Sequence, residues 1–263
     1  MDFYFPTAHI THMKKSLFLS LITASALSAH GTEVWNDLSY LIPELNTETT
    51  TIQRITYTSG GNLIANGGPS ADAVQATLGA LDAGWYSGNR TGDTGSVASV
   101  MSDGSTQLFS ASANGGGFTA VKFNELTTGE ASKYGELKIS FETGGLSNNT
   151  RTRQPQNFSL WYSLGGGEET SLFQVGSTFS GSAGEVANKT WEWTISKDSY
   201  NNLFEQGATF YLVLNTGAID NTYAFQQLEV KNFQMEGLVI PEPSSCFFSL
   251  LGTGVWIFRR KKR

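Results

Sequence analysis

Between Thr32 and Leu238 the chain has neither histidine nor cysteine: His9, His12 and His30 lie before that stretch, and Cys246 lies after it. For the body of the protein this rules out a Ser-His-Asp triad, a cysteine nucleophile, a disulfide and any zinc site built on imidazole or thiolate. Export is compatible with the missing disulfides, which an oxidising compartment permits but does not demand. Positive charge is scarce there too. Of the 17 basic residues seven sit at the ends, namely Lys14, Lys15, Arg259, Arg260, Lys261, Lys262 and Arg263. Of the 23 acids only Asp2 and Glu242 lie outside 32–240, leaving 10 basic against 21 acidic residues, a net charge of −11. Such a surface repels phosphate backbones, so nucleic acid is not expected as a partner.

Glycine is abundant at 29 residues, above the usual share of ~7%, while proline is limited to 6. With many Ser, Thr and Asn, this mix favours short strands joined by turns over long helices. The chain has 263 residues, 39% of them hydrophobic and 12% aromatic, enough for an ordinary core. All-β sandwiches often reach this length as one domain.

From Met13 the sequence reads MKKSLFLSLITASALSAHGTEVW. Two lysines, an apolar stretch from Leu17 to Leu27 and then small residues are the three regions of a secretory signal peptide. Ala29-His30-Gly31 fits the small-x-small cleavage pattern and makes Thr32 the first mature residue; Ala26-Leu27-Ser28 is the competing site. Signal peptidase and the general export machinery are the expected partners of residues 13–31. Residues 1–12, MDFYFPTAHITH, do not belong to that pattern and are read as a misassigned start.

The far end reads VIPEPSSCFFSLLGTGVWIFRRKKR, residues 239–263. Its apolar stretch, Cys246 to Phe258, is interrupted by Ser249, Gly252, Thr253 and Gly254, and is shorter than the ~20 residues of a confident transmembrane helix. The basic block behind it should stay on the cytoplasmic side, as should Lys14 and Lys15. Both basic ends would then be held inside while the acidic middle is exported. Prolines fix φ and disfavour helix at the residue before them, so the linker at Pro241-Glu242-Pro243 should be extended and exposed.

Pro-Glu-Pro, a hydrophobic segment and a terminal basic run, in that order, resemble the PEP-CTERM sorting signal of exported bacterial proteins. The resemblance implies an exosortase partner, a membrane-embedded cysteine protease-transpeptidase that recognises Pro241, Glu242 and Pro243. It also implies a membrane anchor including Val255–Phe258, and retention by Arg259, Arg260, Lys261, Lys262 and Arg263. The short, interrupted apolar run, with Cys246 and Trp256 in it, departs from the usual pattern. A sortase signal of the LPxTG type is absent from the sequence. The expected route is export across the inner membrane, transient anchoring there, then the cell surface or extracellular matrix.

Within 32–238 several segments alternate with period two, as half-buried strands do. In 136–143 Leu137, Ile139 and Phe141 share a face; in 157–164 Phe158, Leu160, Tyr162 and Leu164 do; in 190–196 Trp191, Trp193 and Ile195 do. Residues 209–215 set Phe210, Leu212 and Leu214 opposite Tyr211 and Val213, the pattern of a central strand covered on both faces. In 227–237 the parity breaks at Lys231-Asn232, which a β-bulge would explain. Weaker strands are expected within 50–60, 96–102, 106–112 and 118–126. One short helix is predicted near residues 70–82, with Ser70 as N-cap, Asp72 in the first turn and Val74, Leu78 and Leu81 at helical spacing. The fold class is therefore all-β, a two-sheet β-sandwich resembling a jelly roll.

Candidate ligand contacts are few. Trp191 and Trp193, or Trp85 and Tyr86, would form a stacking platform for sugar rings if exposed; packed inward, they would be core. Trp85-Tyr86 lies in a Gly/Asn-rich stretch and is expected near the surface. Glu168, Glu169, Asp93, Asp103 and Asp220 could ligate Ca²⁺ through oxygen, but without the spacing of a dedicated calcium loop, so no cofactor is expected. The 14 glutamates of the body show no pattern of a catalytic family. The expected function is a non-enzymatic surface or matrix protein. The alternative is a carbohydrate-binding module for extracellular polysaccharide, and less favoured is a glycan-active hydrolase, which needs two facing acids.

Overall fold

The alternating segments become strands, and Gly/Asn/Ser clusters separate them. The computed structural model describes residues 33–44, 52–57, 63, 68–90, 98–100, 105–109, 118–146, 155–165, 171–215 and 227–240. Among these, strands form at β1 (Trp35–Asp37), β2 (Gln53–Tyr57), β3 (Gly84–Arg90), β4 (Ala98–Val100), β5 (Thr106–Phe109) and β6 (Phe118–Lys122). They continue with β7 (Tyr134–Leu146), β8 (Pro155–Leu164), β9 (Phe173–Ser182), β10 (Lys189–Ser196), β11 (Ala208–Asn215) and β12 (Gln227–Val239).

One sheet has the order β10-β7-β12-β5-β4, with β1 also on β12; the other has the order β2-β3-β6-β11-β8-β9. Every pairing is antiparallel except β2 with β3. From β5 onward the chain passes from one sheet to the other at each step except the β8–β9 hairpin. The protein is thus a β-sandwich, as its period-two segments require: a half-apolar sheet must cover that face with a second layer.

The layer between the sheets holds Leu137, Ile139, Phe141, Trp193, Ile195, Val230 and Met235 from the first sheet, and Trp85, Phe158, Leu160, Phe210, Leu212 and Leu214 from the second. Phe141 is central to it, edge-on to Phe158 at 5.3 Å and stacked on Trp193 at 6.0 Å and on Phe233 at 5.4 Å. These are the offset and edge-to-face arrangements that aromatic quadrupoles favour.

The second sheet is buried on its outward face as well. Tyr86, Phe118, Ala120, Trp161, Tyr211 and Val213 form a second cluster there with Leu63, Leu172 and helix α1 (Ala71–Leu78). Helix α1 is the expected one, but it stops at Leu78. Ser70 caps it, its hydroxyl accepting from the Ala73 amide at 3.2 Å, and Ala73, Val74 and Leu78 face the sheet. The buried Lys122 ammonium donates to the Gly79 carbonyl just past the helix at 2.6 Å and lies 5.3 Å from the Tyr211 ring centre. A cation at a helix C-terminus is well placed against the helix dipole. Four shorter helical turns not expected from the sequence, a 3-10 turn at Ser39–Leu41 and α2 (Thr128–Ala131), α3 (Ala183–Val186) and α4 (Asn201–Gln206), occupy connections among the described residues. Each is too short to show a helical period.

Strand β11 lies between β6 and β8 and is covered on both faces, as its double apolar pattern predicts. The parity break in β12 is a bulge. Lys231 pairs with Glu142 and Gln234 with Ser140, so Asn232 and Phe233 together oppose Phe141. Asn232 takes a left-handed φ of 53°, which Asn tolerates better than most residues.

Strand β3 is the main departure from expectation. Its Gly/Asn-rich sequence reads as a surface loop, yet it pairs with β2 and β6 inside the second sheet. Gly88 explains part of this: a Cβ there would run into the ring of Phe118, so the glycine permits a close approach between neighbouring strands.

Candidate functional site

The predicted aromatic contacts lie inside the protein. Trp85 is 2% exposed, Tyr86 1% and Trp193 4%, while Trp191 is half-buried. The Trp85 indole donates to the Pro43 carbonyl at 2.7 Å and its ring meets Phe233 edge-on at 4.9 Å. The Tyr86 hydroxyl donates to the Asp82 carbonyl at 2.6 Å; burial, then the Asp82 charge, push its pKa up. Trp191 and Trp193 turn into the layer between the sheets, against Phe158 and Phe179, and Glu192 points outward. None of Trp85, Tyr86 and Trp193 can offer a ring face to a sugar. The large apolar area of an indole explains this: burying it is more favourable than leaving it wet.

The oxygen ligands considered for Ca²⁺, namely Asp93, Asp103, Glu168, Glu169 and Asp220, lie outside the described residues. Among the described residues no group of three or more His, Cys, Asp or Glu is placed to hold a metal ion, and no helix is long and apolar enough to cross a membrane. The signal peptide, Pro241, Glu242, Pro243 and the basic run Arg259, Arg260, Lys261, Lys262 and Arg263 also lie outside them.

Two places remain. The first is the end of the first sheet where the body's own ends meet. Strand β1 pairs antiparallel with the end of β12, Trp35 opposite Leu238, Asn36 opposite Gly237 and Asp37 opposite Glu236. The Lys138 ammonium lies 4.5 Å from the Trp35 ring centre and ties β1 to β7 as well. Beyond β1 the chain turns inward: the Leu38 amide donates to the Met235 carbonyl at 2.8 Å, and Leu38 and Leu41 enter the core.

The second is a shallow polar depression of about 360 Å³ on the outward face of the same sheet, lined by Glu142, Thr143, Gly144, Asn188, Lys189, Thr190 and Lys231. Gly144 is ten positions along β7 from Tyr134, which pairs with Val239, or roughly 30 Å at strand rise. The depression therefore lies far along the sheet from the paired ends. Two irregular backbones frame it. Asn188 (φ 55°) turns the chain into β10, with its amide donating to the Gly144 carbonyl at 3.2 Å, and Asn232 (φ 53°) forms the β12 bulge. They are the only non-glycine residues with positive φ among those described. The Asn232 amide donates to Glu142 Oε2 at 2.8 Å. Thr143 anchors the floor: its hydroxyl meets the Val186 and Lys189 carbonyls and accepts from the Lys189 amide at 3.2 Å and the Trp191 indole at 3.1 Å. Beside it, Glu229 accepts from Ser105 at 3.1 Å and pairs with Lys231 at 3.6 Å. A Cβ at Gly144 would collide with the Glu229 side chain. The sequence carries one trace of this site, the parity break at Lys231-Asn232. Its partner Glu142 lies 90 residues away and is found only through register.

No family model matches this sequence, and no curated protein does either. Among solved structures, the chain is similar to the CBM22-1 xylan-binding domain from Paenibacillus barcinonensis, at 15% identity and a TM-score of 0.34, covering 60% of this chain and 88% of that one. It is also similar to a family 11 carbohydrate-binding module from Clostridium thermocellum in complex with a mixed-linked tetrasaccharide, at 16% identity and a TM-score of 0.29, covering 62% and 92%. A third likeness is to the Gx strain of infectious bursal disease virus, at 11% identity and a TM-score of 0.29, covering 62% and 34%. Likeness this distant says nothing about ligand.

Proposed function

We propose that this chain is an exported, non-catalytic protein of the cell surface or extracellular matrix, released from its leader by signal peptidase and processed at its tail by an exosortase. The observation that carries this reading is the pairing of Trp35 with Leu238. The expected mature start, Thr32, is three residues before β1, and Pro241 is two residues after β12. The leader and the tail, both read as membrane-directed with basic residues held inside, thus depart from neighbouring strand ends.

The test is replacement of Pro241, Glu242 and Pro243 by alanine in a bacterium that has an exosortase. The expected result is an unprocessed chain retained in the inner-membrane fraction and loss of the surface or released form. Unchanged processing and release overturn the reading.

A second reading, favoured by the depression around Glu142, is a domain that binds extracellular polysaccharide. The depression's size falls in the range of small-molecule sites, roughly 300–1,000 Å³.

A further inference from the structure

We infer that the outward face of the first sheet at the paired ends, formed by β1, β12 and β7, is a docking surface for the enzyme that processes the tail; this rests on the exosortase reading above. The length of the connection carries the argument. Strand β12 ends at Val239, and Pro241 is two residues further on. Two residues of extended chain span at most about 7 Å. Proline fixes φ, so Pro241 and Pro243 give the connection little slack. The wall of a peptide-binding cleft is at least one layer of protein, about 10 Å across. A cleft closed on Pro-Glu-Pro must therefore rest its rim on the body where β12 ends.

Strand β12 is not free to peel away and make room. Glu236 and Leu238 are paired on both sides, with Asp37 and Trp35 of β1 and with Lys138 and Glu136 of β7. Val239 packs against the core. The Lys138 ammonium, 4.5 Å from the Trp35 ring centre, fastens β1 across β12, and the Leu38 amide donates to the Met235 carbonyl at 2.8 Å. Val239 is thus a fixed point on a paired sheet, and the enzyme meets that sheet instead of a free peptide.

The register states what the surface is made of. Leu137 and Ile139 are buried, so Glu136 and Lys138 face outward, and residues directly opposite each other in a sheet share a face. One row across the sheet is Trp35, Leu238, Glu136 and Ser196; the next is Asp37, Glu236, Lys138 and Thr194. The row nearer the tail places an indole beside an aliphatic side chain, both half-buried, and the row behind exposes Asp37 and Glu236. An aromatic anchor with polar surroundings is what the centre of an interface ordinarily holds. The three acids against one lysine call for a partner surface that joins an apolar seat to basic groups.

The test is a pulse-chase of the full chain in a bacterium that has an exosortase, following conversion of the unprocessed form to the processed one. Leu238→Arg and Glu136→Arg should each slow conversion about fivefold, the usual loss when an interface contact is removed. Thr190→Arg lies on the same face, six positions along β10 from Ser196, or roughly 20 Å at strand rise, and should convert as the parent does. All three should keep a trypsin-resistant body. A flexible linker of about ten Gly/Ser residues between Val239 and Ile240 should also slow conversion, because docking and recognition of Pro-Glu-Pro no longer fall at one distance. Leu238→Arg should add nothing to the effect of the linker. Parent rates in both charged variants, equal slowing in Thr190→Arg, or faster conversion with the linker overturns the docking surface and leaves the sorting reading standing. A released body that elutes as a dimer, dissolved by Leu238→Arg, makes the face a contact between copies and overturns it too. A chain that is never converted, or is converted equally well with Pro241, Glu242 and Pro243 replaced by alanine, overturns the sorting reading beneath it.

Discussion

One sheet of this sandwich is buried on both faces and the other on only one. The second sheet presents Phe210, Leu212 and Leu214 to the interior and Tyr211 and Val213 to the cluster under α1, with each of the five fully enclosed. The first sheet buries Leu137, Ile139 and Phe141 and turns Glu136, Lys138, Ser140 and Glu142 outward. An outward face that is already covered by a helix has no room for a large ligand. The open polar face is where β1 joins β12 and where the depression lies. The difference teaches that the double-faced sheet holds the fold and the single-faced sheet meets the surroundings.

Three substitutions test that division. The largest effect is expected for Phe141→Ala, which removes the ring shared by Phe158, Trp193 and Phe233. It should cost about 3–5 kcal/mol in denaturant unfolding. A loss under about 1 kcal/mol would mean that the sheets do not depend on this cluster. Next is Leu78→Ala, fully enclosed under α1, with an expected cost of about 2–5 kcal/mol. If the protein unfolds at an unchanged denaturant midpoint, α1 is an ornament on the second sheet and the comparison fails. The smallest effect is expected for Glu192→Gln on the open face, where the carboxylate accepts from the Thr194 hydroxyl at 3.4 Å. Exposed positions of this kind shift stability within about 0.5 kcal/mol. A loss larger than that by thermal melting would show the open face to be structural.

Particular residues show how far local patterns carry. The alternation in 136–143, 157–164 and 190–196 becomes β7, β8 and β10 because a period of two leaves one apolar face to bury. Ser70 caps α1, and the parity break at Lys231-Asn232 is the bulge in β12. Strand β3 was not legible, since Gly84 and Gly88 erase its alternation and the reason for Gly88, the ring of Phe118, lies 30 residues on. For the same reason Trp85 and Tyr86 looked external. Strand β9 was missed because Gly176, with a φ of 59°, interrupts its pattern where the register with β8 slips. The depression was invisible as a site: its lining comes from β7, β10 and β12, and no local pattern shows which outward residues become neighbours.

By itself the sequence determined the fold class, the central place of β11, the helix near Ser70 and the exclusion of histidine and cysteine chemistry from the body. These follow from composition and from periods that repeat within a few residues, where local geometry is decisive. Only the tertiary structure decided that the candidate tryptophans face inward, that Trp35 and Leu238 leave the body side by side, and that Glu142 is framed by Asn188 and Asn232. Each of these depends on strand order and register, which bring together residues tens to hundreds of positions apart. Such pairings are set by the global packing of two sheets, and no short stretch of sequence encodes them.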